Sequence, residues 1–134
     1  VSHDPTEVLA LADQLLIIRK GRKVGSGNPR DLFQRPTNAY VARLLAQANI
    51  LTPAEAKLIG IESQKKIGIH RQSILPKIDK NGSFVVESIR FKGFHHDLVL
   101  RNNDLILRSI QAPSGTFSPG DRVAIKVEDY WEFT

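Results

Sequence analysis

Leu15-Leu16-Ile17-Ile18 is an unbroken apolar run set between a helix-patterned segment and a tight charged turn. With no polar residue alternating through it, such a run suits a strand covered on both faces, as in the parallel sheet of an α/β domain. The residues ahead of it read as a helix start. Asp4 can accept from an orphan N–H, Pro5 suits the first helical position, and Glu7 reaches back three residues. Val8, Leu11, Ala12 and Leu15 then share one helical face, and Asp13 ends the helix. Behind the run, Arg19-Lys20-Gly21-Arg22-Lys23 forms a turn and Val24 to Ser26 pairs back as a second strand. The expected order is a loop carrying His3, a helix, a buried strand and a hairpin.

Asn28 is placed to cap a short helix opening at Pro29, and Pro36 breaks that helix. Asn38 to Gln47 follows as a second helix, with Tyr40, Val41, Leu44, Leu45 and Ala48 at helical spacing. Thr52-Pro53-Ala54-Glu55 starts another, ending near Gly60. After Gly60 the period changes to that of strands. Lys65–His70 alternates as a half-buried strand, and Pro76 makes Ser73–Ile78 an edge or a turn. Ser83–Lys92 reads as a long strand with Phe84, Val86, Ile89 and Phe91 near the core. His95–Arg101, Leu105–Ile110 and Arg122–Val127 complete the set, separated by Gly93, Asn102-Asn103-Asp104 and Pro119-Gly120-Asp121. Many short strands between such turns argue for a small β-barrel or sandwich.

Five segments of the first third, in order, resemble the region after the catalytic core of ATP-binding cassette (ABC) transporter ATPases. They are Val1-Ser2-His3-Asp4, Glu7 to Asp13, Lys20-Gly21-Arg22-Lys23-Val24, Gly27-Asn28-Pro29 to Phe33, and Pro36 to Val41. The sequence departs from the family pattern at Val8, where alanine is usual, and at Lys23. Asn49-Ile50-Leu51 resembles the crossing out of the ATPase domain. The second half resembles the transport-associated OB-type (TOBE) domain behind importer ATPases, through Gly68-Ile69-His70, Gly82 to Gly93, and Pro119-Gly120-Asp121-Arg122-Val123. There the family's G-[IV]-R-P-E becomes Gly68-Ile69-His70-Arg71-Gln72, without its arginine–glutamate pair, and the opening strands are replaced by Thr52–Gly60. A reduced or open barrel is expected.

The resemblance implies an α+β chain: residues 1–50 as a helix–hairpin–helix remnant of an α/β ATPase domain, 51–64 as a linker with a short helix, and 65–134 as an OB-like (TOBE) β-barrel or open sheet. It implies that His3 is the switch histidine, contacting the γ-phosphate and positioning the attacking water in the intact parent, and that Asp4 lies at the dimer interface or caps the helix. Phosphoryl transfer depends on placed charges and hydrogen bonds, so one well-held imidazole can control turnover. The phosphate-cradling G-x-x-x-x-G-K-[ST] loop, the L-S-G-G-Q signature and the acidic magnesium-binding strand are not in these residues. The chain also contains no methionine. An excised accessory or regulatory segment is therefore expected, with no turnover of its own and no cofactor, while ATP and Mg serve the parent. Expected partners are a second copy, and in the parent the permease subunits and a second ATPase subunit, at the cytoplasmic face of the membrane. Leu9, Leu11 and Leu15 to Ile18 would lack cover outside a whole ATPase domain, which predicts self-association as a dimer.

The absence of cysteine excludes disulfides and thiolate metal sites. The net charge of +5 is dispersed, and its one tight basic run lies on a hairpin turn, where solvated charge is ordinary. The alternative reading is a stand-alone OB-type module for single-stranded nucleic acid or a small oxyanion. Arg90, Lys92 and Lys126 with Phe84, Phe91 and Phe94 sketch a nucleic-acid face, but the phenylalanines fall on both faces of their strand, so nucleic acid is not the expected partner. Lys65, Lys66 and Arg71 could supply charge to an oxyanion. His95-His96-Asp97 suggests metal, yet adjacent strand residues point to opposite faces and a third spaced ligand is missing. Ser63-Gln64-Lys65-Lys66 matches an acyl-transfer S-x-x-K without its partner motifs. Tyr130-Trp131-Glu132-Phe133 is expected to pack on the barrel.

Overall fold

The computed structural model describes residues 5–133, with side chains from Val8 onward. His3 and Asp4 lie outside the described residues. The chain is α+β, with short helices first and antiparallel sheets after them.

Helix α1 (Pro5–Leu11) leads into β1 (Leu15–Arg19), which pairs antiparallel with β2 (Arg22–Gly27). Lys20 (φ 52°) and Gly21 (φ 76°) both occupy the left-handed region. Two such residues give the twist that a two-residue hairpin turn needs. Asn28 caps α2 (Pro29–Gln34), its Oδ1 accepting from the Arg30 N–H at 2.8 Å. Asn38 caps α3 (Ala39–Val41) in the same way and also donates through Nδ2 to the Val24 carbonyl at 2.8 Å. That second bond ties α3 to the hairpin. The helix widens into a π-helical turn at Ala42–Ala46 and ends at Gln47, which is left-handed at φ 49°.

Leu15, Ile17, Leu32, Val41 and Leu45 form the small core of this helical unit, with Val8, Leu9 and Ala12 against it. The expectation of cover on both faces of the apolar run holds for one face only. Leu16 and Ile18 are 60% and 57% exposed, and Leu11 is 75% exposed. The cause is topological: among the described residues β1 has β2 as its single neighbour in a two-stranded sheet, and the helices lie on one side of it.

The remaining elements are β3 (Asn49–Leu51), α4 (Pro53–Lys57), β4 (Ile67–Ile69), β5 (Ile74–Ile78), β6 (Phe84–Phe91), β7 (His96–Asn102), β8 (Leu105–Gln111), β9 (Arg122–Val127) and β10 (Trp131–Glu132). Thr52 and Glu55 close a reciprocal capping box at the start of α4. One sheet has the order β10-β4-β3 and the other β5-β9-β6-β7-β8. Between them lies the main core, with Leu51, Ile67, Ile69, Ile74, Phe84, Val86, Leu98, Leu100, Leu107 and Val123 nearly inaccessible. The β4 segment is buried on both faces, not half-buried, because it is the central strand of its sheet.

In β6 the register slips between Val86 and Ser88, so the inward phase passes from Phe84 and Val86 to Ile89. Phe91 was expected near the core and is 71% exposed instead. The β6–β7 pair runs on past the point where β9 stops pairing with β6, which leaves its far end without a facing layer. Strands β5 and β8 approach at the two ends of the larger sheet. Ser109 Oγ and Gln111 Nε2 both donate to the Ile74 carbonyl, at 2.7 and 3.0 Å. Side chains bridge this seam where a closed barrel would have a backbone ladder, so the sheet is open.

Candidate functional site

Residues 33–36, at the end of α2, meet residues 129–133, at the end of the chain, and His70 sits between them. Its ring stacks on Phe33 with centroids 5.1 Å apart and planes 13° apart, and it lies 4.7 Å from the Trp131 ring on the other side. His70 Nε2 is 3.1 Å from the Gln34 carbonyl. A carbonyl can only accept, so Nε2 is the donor in this contact, and Nδ1 is buried without a partner. Trp131 Nε1 donates to the Pro36 carbonyl at 3.1 Å, and Phe133 meets the indole edge-on at 5.6 Å. Around them Ala42, Ala46 and Ala48 complete a buried cluster. Their small side chains let the helix approach the tryptophan closely.

The rim is polar. Arg35 donates to the Tyr130 carbonyl at 3.1 Å and to Asp129 Oδ2 at 3.0 Å, both carried by exposed side chains. Deeper in, Asn49 Nδ2 donates to the Arg108 carbonyl at 2.9 Å, and Asn49 Oδ1 accepts from the Arg108 N–H at 2.7 Å. Asn49 follows directly on the helical unit, so this pair pins the exit of that unit to β8. A buried apolar cluster with several polar ties makes the junction stiff. In the helical unit, one face of β1 carries Leu16 and Ile18 into solvent, and Leu11 is exposed as well.

The other sequence candidates are scattered. His95 Nε2 lies 3.0 Å from Asp97 Oδ1, while His96 is engaged edge-on with Phe91 at 5.7 Å. Among the described residues, no group of three or more His, Cys, Asp or Glu side chains is placed to share a metal ion. Ser63 Oγ makes a local turn with the Lys65 backbone, which occupies its hydroxyl. Lys65 and Lys66 are exposed, and Arg71 lies apart from them beside Asp97, 4.0 Å away. Phe84 is buried whereas Phe91 and Phe94 are exposed, so the three do not form a stacking platform. Trp131 and Phe133 are buried and Tyr130 is 39% exposed, which places the terminal aromatics mainly in the core.

The junction was not visible as such in the sequence. In the sequence His70 is part of a motif, whereas its ring neighbours lie 37 residues before and 61 residues after it. The available signal was the Trp131-Glu132-Phe133 alternation, which has the two-residue period of a strand and becomes β10.

No family model matches the chain. It is 28% identical over 137 residues to the spermidine/putrescine import ATP-binding protein PotA of Clostridium novyi, covering 87% of this chain and 40% of that protein. It is 45% identical over 60 residues to the Fe(3+) ions import ATP-binding protein FbpC of Streptomyces coelicolor, covering 45% of this chain and 16% of that protein. PotA of Mycoplasma mycoides is 28% identical, over 77% of this chain and 35% of the relative. The homologues are thus ATP-binding subunits of ABC importers, and the chain spans less than half the length of each of these curated relatives.

Proposed function

We propose that the chain is the C-terminal accessory part of the ATP-hydrolysing subunit of an ABC importer, and that its β domain, of the OB-like TOBE kind, biases the pairing of two such subunits. The observation that carries this reading is the uncovered apolar face of β1, on a strand paired on one side among the described residues. Leu16 and Ile18 point away from a core that Leu15 and Ile17 have already filled, on a strand with one side unpaired. An open strand edge with an apolar face is a template for further sheet. In the parent, the rest of the ATPase sheet would lie there, and His3 would be held at the γ-phosphate by the loop before α1. The junction at His70 and Trp131 would then pass movement of the helical unit to the β domain without slack. In this reading ATP and Mg act in the parent, whose permease partners hold it at the cytoplasmic membrane face. No helix among the described residues is long and apolar enough to cross a membrane.

The direct test is ATP turnover by the complete parent subunit. It should hydrolyse ATP, and His3→Ala should lower turnover by at least about a hundredfold while leaving nucleotide binding intact, as for loss of a group that acts on the transferring phosphate. Unchanged turnover in that variant would remove the assignment. For the 134-residue chain alone, sedimentation should show self-association, and Leu16→Ser with Ile18→Ser should abolish it. A clean monomer at high concentration would count against an apolar edge seeking cover.

A further inference from the structure

Arg43, Arg71 and Arg108 come from three separate elements, the π-helical turn, the loop after β4, and β8, and they line one cleft of about 480 Å³. A cleft of this size falls within the roughly 300–1,000 Å³ usual for small-molecule sites. Asp97 is the single carboxylate in the lining. It is already flanked by His95 at 3.0 Å and by Arg71 at 4.0 Å. Among the described residues, neither Arg43 nor Arg108 has a carboxylate within ion-pair distance. Arg71 Nε is buried without a hydrogen-bond partner, and Arg71 Nη1 reaches Asp97 Oδ1 only at 4.0 Å, so this guanidinium is incompletely satisfied. Buried polar atoms left in that state call for a partner.

Two further features set this cleft apart from a patch of solvated charge. The Arg108 backbone is clamped on both its N–H and its carbonyl by Asn49, so the strand that presents this guanidinium is fixed before any ligand arrives. Beside the arginines the lining includes the apolar side chains of Ile50, Val99 and Ile106, and Ile106 is 39% exposed. A bare inorganic anion would use the charge and leave that wall wet. Guanidinium groups favour planar, two-oxygen acceptors such as carboxylate and phosphate.

We infer that this cleft binds a small organic anion carrying two negative charges on a short carbon body. The charges are met by Arg43 and Arg108, and the carbon body lies along Ile50 and Ile106. The site is contained in this chain and does not depend on the importer reading. Because the helical unit supplies Arg43 and the β domain supplies Arg108, an occupant would bridge the two and stiffen their junction.

The test is a titration of the ¹⁵N-labelled chain with succinate, with glycerol 3-phosphate and with inorganic phosphate at constant ionic strength. Saturable shifts are expected at the Asn49, Arg108 and Ser109 amides and at the Arg71 Nε–H, with at least one organic probe; which one responds separates a carboxylate ligand from a phosphate ester. Arg43→Gln and Arg108→Gln, both on exposed side chains, should each weaken that binding about tenfold or more, with the rest of the spectrum unmoved. No saturable shift with either organic probe on the order of 10 mM would overturn the inference. So would binding untouched by both substitutions, or inorganic phosphate binding as tightly as the organic probes.

Discussion

Gly68 is the middle residue of β4, the central strand of its sheet, and lies directly opposite Trp131 on β10. A Cβ at that position would stand 2.3 Å from Trp131 Cζ2 and 2.5 Å from Cε2. The indole cannot tilt freely to make room. It is 7% exposed, tilted against His70 with centroids 4.7 Å apart, edge-on to Phe133 and tied through Nε1 to Pro36. Gly68→Ala therefore forces out a ring that three groups hold. Overpacking in a filled core costs about 1–3 kcal/mol. Loss of the Pro36 hydrogen bond adds about 1 kcal/mol. Replacing glycine with alanine in a strand offsets about 0.5–1 kcal/mol of this through reduced backbone entropy. A net loss of about 2–3 kcal/mol is expected, a large share of the roughly 5–15 kcal/mol that stabilises a typical domain. In calorimetry this corresponds to a fall in Tm of about 8 °C. Trp131→Leu vacates the space, so Gly68→Ala should cost little in that background, giving a coupling of about 2 kcal/mol in a double-mutant cycle. A Gly68→Ala chain within about 0.5 kcal/mol of the parent, or additivity between the two substitutions, would refute the packing argument.

Asn49→Ala removes both ties to Arg108 and leaves backbone groups at a buried seam unpaired, so urea denaturation should register a loss of about 2–3 kcal/mol. Arg35→Ala breaks an ion pair whose side chains are 54% and 62% exposed, and its effect should stay below about 1 kcal/mol and shrink further in high salt. Ser109→Ala, which deletes a buried hydroxyl bridging β8 to the Ile74 carbonyl, should cost about 1–2 kcal/mol and speed amide exchange along β5.

Local chemistry made much of the chain legible. The helix starts at Asn28 and Thr52 lie where a short polar side chain precedes a proline, and each forms its expected backbone hydrogen bond; Asn38, at the start of the next expected helix, caps it too. The Lys20-Gly21 turn and the long β6 and β7 strands followed from turn residues and two-residue alternation in the same way. Errors arose where burial depends on what lies opposite. Phe91 carries the same strand signal as Phe84, yet only Phe84 has a layer facing it. Lys65–His70 looked half-buried because alternation cannot report that β3 and β10 flank β4 and that Trp131 covers Gly68. Leu16 and Ile18 read as buried because an apolar run states a preference for cover, and nothing in the described residues supplies that cover.

The order of residues thus fixed where helices start, where strands turn and which side chains prefer to leave water, since these depend on neighbours within about one turn of chain. Only the tertiary structure decided that His70 would stand between Phe33 and Trp131, that Asn49 would hold Arg108, and that three arginines would line one cleft. Those meetings join residues dozens of positions apart. Local preference does not encode them, and the shared core brings them together once its apolar surfaces have closed.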